Sequence, residues 1–338
     1  MAHEYSETIR QIHQLVEDGI APGISYAIFD AHEEIKEVFG YAELTPELEK
    51  LRPRMQYDVA SLTKVIGTTT LIMQLVQEGK ISVEDTVQKY LPEFGDPRVK
   101  IRHLLTHTSG IEGYIPNRDE LSAENLTKAL LALPVSDNFN QTIKYADIGL
   151  IYLGWIIEYF YHQPVQQVIQ TEVLNKLGMN YSTFNPKMNN CVPTQLHPNR
   201  GLIRGVVHDP KAYTLGEHCG SAGMFSTLPD LTKFAHSMIE TGLDGLLTKA
   251  TIESLQQDQT PMQGFNGRTF GWQLLQDKSD KHNILYHTGY TGTWLIIDVS
   301  TDQGFVFLSN RVHPSDNNQI YLPRRDEIIS TYLAEKSK

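Results

Sequence analysis

Ser61 is the one serine in this chain that stands three residues ahead of a lysine, and it does so where a strand-like run turns into an apolar helix: Ala60-Ser61-Leu62-Thr63-Lys64. On a helix, positions three apart lie on one face, so the Lys64 amine reaches the Ser61 hydroxyl without help from the rest of the fold. A serine hydroxyl is a weak nucleophile until a base removes its proton, and a desolvated lysine of lowered pKa is one of the few side chains able to do so. A helix N-cap serine with a solvated lysine one turn on has the same spacing, and roughly one such spacing arises by chance in a chain of this length. The pair therefore needs partners before it means chemistry.

Three segments offer them. In Lys144-Tyr145-Ala146-Asp147, Asp147 sits where an N-cap belongs ahead of the apolar helix at Ile148, and Tyr145 reads either as a hydrophobic staple or as a phenol for proton transfer. Tyr286-His287-Thr288-Gly289-Tyr290-Thr291-Gly292-Thr293 is a strand edge with two glycines in four residues, an ordinary turn or a place where a ligand approaches backbone. Arg102 to Ile111, with Gly110 as terminator, reads as architectural. His208-Asp209 is a weaker base pair for some other nucleophile, since neighbours in a loop more often point apart.

The elements that must carry these residues follow from patterning. Gly23 to Asp30 and Ile35 to Gly40 form a hairpin, and Ser61 begins a helix that runs to Gly79. Helical patterns fill Arg102–His107, Ala123–Leu133, Ile148–Tyr161, Val165–Leu177 and Asp230–Glu240. Strands return at Thr269–Gln276, Ile284–Thr288, Thr293–Val299 and Gly304–Ser309, before a last helix over Arg325–Glu335. The expected class is α+β: one antiparallel sheet built from both ends of the chain (residues 1–81 and 241–338) with flanking helices, a mainly helical lobe over 82–240, and the cleft between them. Segments 113–138 and 186–216 are the expected cleft lids.

The 338 residues, 40% hydrophobic and 20% charged, describe an ordinary globular protein. A net charge of −11 with no basic stripe excludes a nucleic-acid partner. Cys191 and Cys219 have neither the number nor the spacing of a disulfide framework or zinc site. The N-terminus lacks a signal pattern and Ile148–Tyr161 is short for a bilayer span, so a cytoplasmic chain with no membrane segment is expected. No Gly-x-Ser-x-Gly, His-Glu-x-x-His, phosphate-loop or dinucleotide fingerprint is present.

Taken in order, Ser61-x-x-Lys64, His107-Thr108-Ser109-Gly110, Tyr145-x-Asp147 and His287-Thr288-Gly289 resemble the serine β-lactamase and penicillin-binding protein superfamily, most of all its class C-like branch, which includes esterases and D-aminopeptidase-like hydrolases. The resemblance extends through Gly205-Val-Val-His-Asp209, Ala212, Leu215-Gly216 and Gly223-Met-Phe-Ser-Thr227. It implies a β-lactamase/DD-peptidase-like fold and an acyl-enzyme mechanism with no metal or cofactor. Ser61 would attack a carbonyl, Lys64 and Tyr145 would pass its proton to the leaving group, and the backbone N–H groups of Ser61 and Tyr290 would form the oxyanion hole. Asp147, His287, Thr288 and Gly289 would line the substrate.

Two departures bear on that substrate. His287 replaces the lysine of Lys-Thr-Gly, so fixed positive charge beside the site is lost. Asp147 replaces the asparagine of Tyr-x-Asn, exchanging an amide for an acceptor-only carboxylate that also favours a protonated Lys64. Both suit a neutral small ester or amide better than a β-lactam. The competing readings are a D-alanyl-D-alanine carboxypeptidase or weak β-lactamase, and a penicillin-binding protein that acylates without turning over.

Overall fold

A computed structural model describes residues 5–261 and 267–337. Strands β1 (Gly23–Phe29), β2 (Glu34–Glu43), β3 (Glu49–Lys50), β4 (Gln273–Gln276), β5 (Asn283–Gly289), β6 (Thr293–Asp298) and β7 (Gln303–Ser309) form one antiparallel sheet in the order β3-β2-β1-β7-β6-β5-β4. The two ends of the chain meet where β1 pairs with β7, Ile24 opposite Ser309 and Phe29 opposite Gly304.

Period-two alternation divides the strands between two cores. Trp294, Ile296, Phe305 and Phe307 face the terminal helices α1 (Ser6–Glu17) and α10 (Tyr321–Glu335), while Leu295, Ile297, Val306 and Leu308 face the larger core. Helix α1 has no side-chain cap of its own. Glu335 supplies one from α10, its carboxylate accepting from the N–H groups of Glu7 and Thr8 at 3.0 Å each and from the Thr8 hydroxyl at 2.6 Å.

The larger core is organised around helices α2 (Thr70–Gln77), α3 (Ile101–Leu105), α4 (Ala123–Leu131), α5 (Ile148–Tyr161), α6 (Val165–Ile169), α7 (Pro210–Leu215), α8 (Leu228–Glu240) and α9 (Lys249–Ser254). Helix α5 is buried without interruption from Ile148 to Ile157, as expected of a helix apolar on every face. Among the described residues no helix is long and apolar enough to cross a membrane. Both cysteines are free and buried.

Most expected elements lie within a few residues of their observed bounds. The strand expected over Thr269–Gln276 is cut to Gln273–Gln276, because the chain turns at Gly271, whose φ is +80° and where a Cβ would stand 2.3 Å from the Thr69 hydroxyl. The helix expected from Val165 to Leu177 is α6 followed by a π-helical turn over Gln170–Leu174.

Candidate active site

Ser61 occupies a turn whose shape is imposed by its neighbours. The short strand Tyr57–Asp58 pairs with Phe225–Ser226, after which Ala60 takes φ +47°, a left-handed conformation that costs energy for a residue with a Cβ. Buried Asp58 holds the turn: one carboxylate oxygen accepts from the Ala60 N–H at 2.9 Å, the other from the His208 N–H at 2.7 Å. Burial pushes this carboxyl up to about 6, the backbone donors opposing it. Thr63 donates to the Ala60 carbonyl at 2.7 Å, and the N–H of Lys64 reaches the Ser61 carbonyl at 3.0 Å. Ser61 thus stands in the turn just ahead of the helix. Lys64 follows in a π-helical stretch, Lys64–Thr69, that leads into α2. Single π-helical turns often mark functional positions.

The Lys64 ammonium is fully buried and has three partners. Its Nζ lies 2.6 Å from Ser61 Oγ, 3.0 Å from the Ser221 carbonyl and 2.8 Å from Asp147 Oδ1. The expectation of a lysine with lowered pKa is corrected here: burial alone would push Lys64 down, but the Asp147 carboxylate, then the Tyr145 oxygen, hold it above the ordinary lysine value. Asp147 in turn is held below the usual carboxylate range, burial being outweighed by Lys64 and then Lys211. Asp147 does hold the N-cap position of α5, as its place ahead of Ile148 suggested, but its side chain caps nothing and spends both oxygens on lysines.

Tyr145 is half exposed at the cavity wall, with its ring between two cations: Lys64 Nζ at 5.3 Å and Arg268 Cζ at 5.2 Å from the centroid. The His107 and His287 rings lie 4.6 and 6.0 Å from it. Both histidines are buried and pushed well below the imidazole range, chiefly by burial, with Arg268 and Lys64 adding to it. His287 therefore carries no charge at neutral pH. His107, read from sequence as architectural, belongs to this cluster, and its Nδ1 accepts the Ala146 N–H at 3.3 Å.

The β5–β6 turn is tied to the Ser61 turn from the other side. Thr291 and Thr293 donate to the carbonyls of Asp58 and Val59 at 2.7 and 3.1 Å. Gly289 makes the contact possible, because a Cβ there would lie 2.1 Å from the Thr293 hydroxyl and 2.4 Å from the Val59 carbonyl.

A cavity of about 450 Å³ opens over these groups, lined by Ser61, Tyr145, Asp147, Thr288, Gly289 and Tyr290 among others. Of the two expected lids, 186–216 contributes His208, Asp209 and Pro210 to its wall, while 113–138 contributes nothing. His208 and Asp209 do not act as a pair. His208 Nε2 is 3.1 Å from Gln195 Oε1, and Asp209 caps α7 through the Ala212 N–H at 2.8 Å.

Four charged residues of the site escaped the sequence reading. Lys211 Nζ stands 2.9 Å from Asp147 Oδ2, Arg268 covers Tyr145, and Arg311 and Arg325, bonded to the Tyr290 carbonyl and to Asp326, are among the residues lining the cavity. Lys211 lies inside the Gly205–Gly216 segment that carried the resemblance. The other three stand in no motif, and only the fold brings them in.

A family model described as Beta-lactamase matches residues 9–328. Among curated proteins, the chain is similar to an N-acetylmuramyl-L-alanine amidase of Bacillus subtilis, 26% identical over 379 residues that cover 94% of this chain and 85% of that protein. Among solved structures, a D-amino acid amidase from Ochrobactrum anthropi shares the fold with a TM-score of 0.78 at 17% identity, covering 99% of each chain. A beta-lactamase/D-alanine carboxypeptidase from Pseudomonas syringae superposes with a TM-score of 0.74 at 18% identity over 97% of each chain.

Proposed function

The chain belongs to the Beta-lactamase family, and from that premise we propose that it is a serine hydrolase working through an acyl-enzyme on small esters or amides, with Ser61 as nucleophile. The observation that carries this reading is the Ser61 Oγ at 2.6 Å from a fully buried Lys64 ammonium, on the wall of the cavity. Because Asp147 keeps Lys64 protonated, Lys64 acts by electrostatics and relay: Tyr145 reacts as the phenolate, beside the Lys64 and Arg268 cations, and takes the Ser61 proton to become the phenol. The Ser61 oxygen adds to the substrate carbonyl, and the N–H groups of Ser61 and Tyr290 stabilise the oxyanion, each donor worth on the order of a hundredfold in rate. Tyr145 then returns the proton to the departing alcohol or amine. Water attacks the ester by the same route in reverse roles and frees the acid. Neutral His287 in place of a fixed cation supports substrates without a clamped carboxylate.

The test is hydrolysis of p-nitrophenyl esters and D-amino-acid amides, with intact-mass detection of the acylated protein. Ser61→Ala is expected to lose at least about a thousandfold in rate together with the acyl adduct. Full activity in that variant would overturn the nucleophile assignment. A stoichiometric burst followed by near-zero turnover on every substrate would instead favour a binding protein that stalls after acylation.

A second reading has its own support, since Arg311 and Arg325 bring two guanidinium groups to the cavity and the Pseudomonas syringae neighbour is titled a carboxypeptidase. Guanidinium forks suit a carboxylate. A D-alanyl-D-alanine peptide cleaved much faster than its C-terminal amide, with the preference lost in Arg325→Gln, would select that reading. Equal rates would select the neutral ester or amide.

A further inference from the structure

The charges beside Ser61 form an alternating chain. Lys64 Nζ is 2.8 Å from Asp147 Oδ1, Asp147 Oδ2 is 2.9 Å from Lys211 Nζ, and Lys211 Nζ is 3.3 Å from Asp209 Oδ2. Asp209 is anchored in turn as the N-cap of α7. The Asp147 carboxylate is thus shared by two ammonium groups on two different elements, the π-helical stretch that carries Lys64 and the helix that carries Lys211. Resting on the hydrolase reading above, we infer that Lys211 is a positioning residue of the site: by taking half of the Asp147 carboxylate it sets how tightly the Lys64 ammonium is held beside Ser61.

The argument is one of charge balance. Asp209 balances Lys211, so the chain of four is neutral overall, but its ends differ: the Lys64 ammonium stands at the Ser61 end, and that local positive charge favours negative charge on the neighbouring hydroxyl and phenol. With Lys211 neutralised, Asp147 would be compensated by Lys64 alone. Every proton-accepting group nearby would then hold its proton more tightly, and Lys64 would be drawn toward Asp147 and away from Ser61. Several other groups act on the trio. Tyr145 faces it from the loop before α5, His107 from the turn after α3, His287 from β5 and Arg268 from the run before β4, and Arg118, Asp119 and Asp209 flank Lys211. Of these, the histidines are uncharged at neutral pH, and Arg118 is taken up by an ion pair with Asp119 at 2.8 Å. Lys211 is therefore the cation in direct contact with Asp147 besides Lys64 among the described residues.

A merely structural lysine would tie α7 to the loop before α5 and do nothing to proton transfer. The distinction is read from the pH profile of kcat/KM for a p-nitrophenyl ester. In Lys211→Met the acid limb is expected to move to higher pH by about one unit, with a several-fold loss at neutral pH. Lys211→Arg should restore the wild-type limb. Asp147→Asn should move the limb the opposite way, and the charge-balanced double variant Lys211→Met/Asp147→Asn should bring it back toward wild type. Lys211→Gln serves in place of the methionine variant if that one does not fold. An acid limb that superimposes on wild type in the neutral variants, whatever their melting temperature, overturns the inference. Ser61→Ala separates the two levels: if it leaves hydrolysis intact the hydrolase reading itself fails, whereas if it abolishes hydrolysis and the limb stays fixed, only the role of Lys211 fails.

Discussion

Two buried lysines in this protein have opposite surroundings. Lys336, at the end of α10, donates to Asp277 Oδ2 at 2.8 Å and Asp298 Oδ2 at 2.7 Å, so one cation faces two anions. The Oδ1 atoms are also used, by Ser279 and Ser337 on Asp277 and by His282 on Asp298. Lys64 has the inverse stoichiometry: one carboxylate serves two cations, and one of its hydrogen bonds goes to a hydroxyl on a cavity wall. The first arrangement is complete within the protein and locks the C-terminal helix against β4 and β6. The second presents the Lys64 ammonium to a nucleophile while its counter-ion Asp147 is shared with Lys211, which Asp209 also holds, and a cation so placed makes an oxyanion or phenolate cheaper to form. Equal burial thus serves stability in one place and reactivity in the other, and how far carboxylates take up each ammonium decides which.

Replacing each lysine by methionine breaks the comparison most directly. Lys64→Met is expected to cost at least about a thousandfold in ester hydrolysis. Its melting temperature should change little, because Asp147 keeps Lys211 as a partner. Lys336→Met leaves two buried carboxylates facing each other and should lose about 3–5 kcal/mol of stability, while the folded fraction retains wild-type kcat/KM. Chemical denaturation and active-site titration on the two variants check this. The comparison fails if both variants lose the same property.

Much of this was legible in the sequence, for a definable reason. Ser61, Lys64, Tyr145, Asp147 and His287 to Gly289 sit in short motifs whose spacing is set by local geometry, one helical turn or one strand edge; the structure brings Ser61, Tyr145, Asp147, Thr288 and Gly289 to one cavity wall, with Lys64 and His287 buried against Ser61 and Tyr145. The sheet was legible because Trp294 to Ile297 and Phe305 to Leu308 alternate between two apolar cores. Lys211 and Arg268 were not legible, because what gives them a role is contact across the fold with residues dozens of positions away. The direction of the Lys64 shift was half legible: burial and an opposing Asp147 charge could both be read, but that Asp147, with Tyr145, outweighs burial follows only from their contact across the fold.

A smaller effect sharpens the same contrast without touching a charge. Gly289→Ala would place a methyl group against the Thr293 hydroxyl and the Val59 carbonyl, so the β5 edge must move away from the Ser61 turn. Displacements of this kind cost on the order of ten- to a hundredfold in rate when they spoil alignment. The expected result is lower kcat with little change in melting temperature. A large thermal loss with unchanged kcat would show that this contact serves the sheet and not the site.

The smallest effect concerns how the two regions titrate. His282 pairs with Asp298 and Asp280 in the C-terminal lock, and although burial opposes it, these carboxylates raise its pKa above the ordinary imidazole value. A histidine bound more tightly to its proton when folded stabilises the protein fully below the unfolded value near 6.5, and that stability fades as pH rises through the folded value. His107 and His287 behave in the opposite sense. Their folded values lie well below the unfolded one, so the unfolded chain gains protons first and stability declines as pH falls below about 6.5. Melting temperature against pH should therefore pass through a maximum close to neutral pH, with His282→Asn flattening the alkaline side and His287→Gln the acid side. A variant that flattens the wrong side would mean that the lock and the site do not differ in charge balance as their geometry requires.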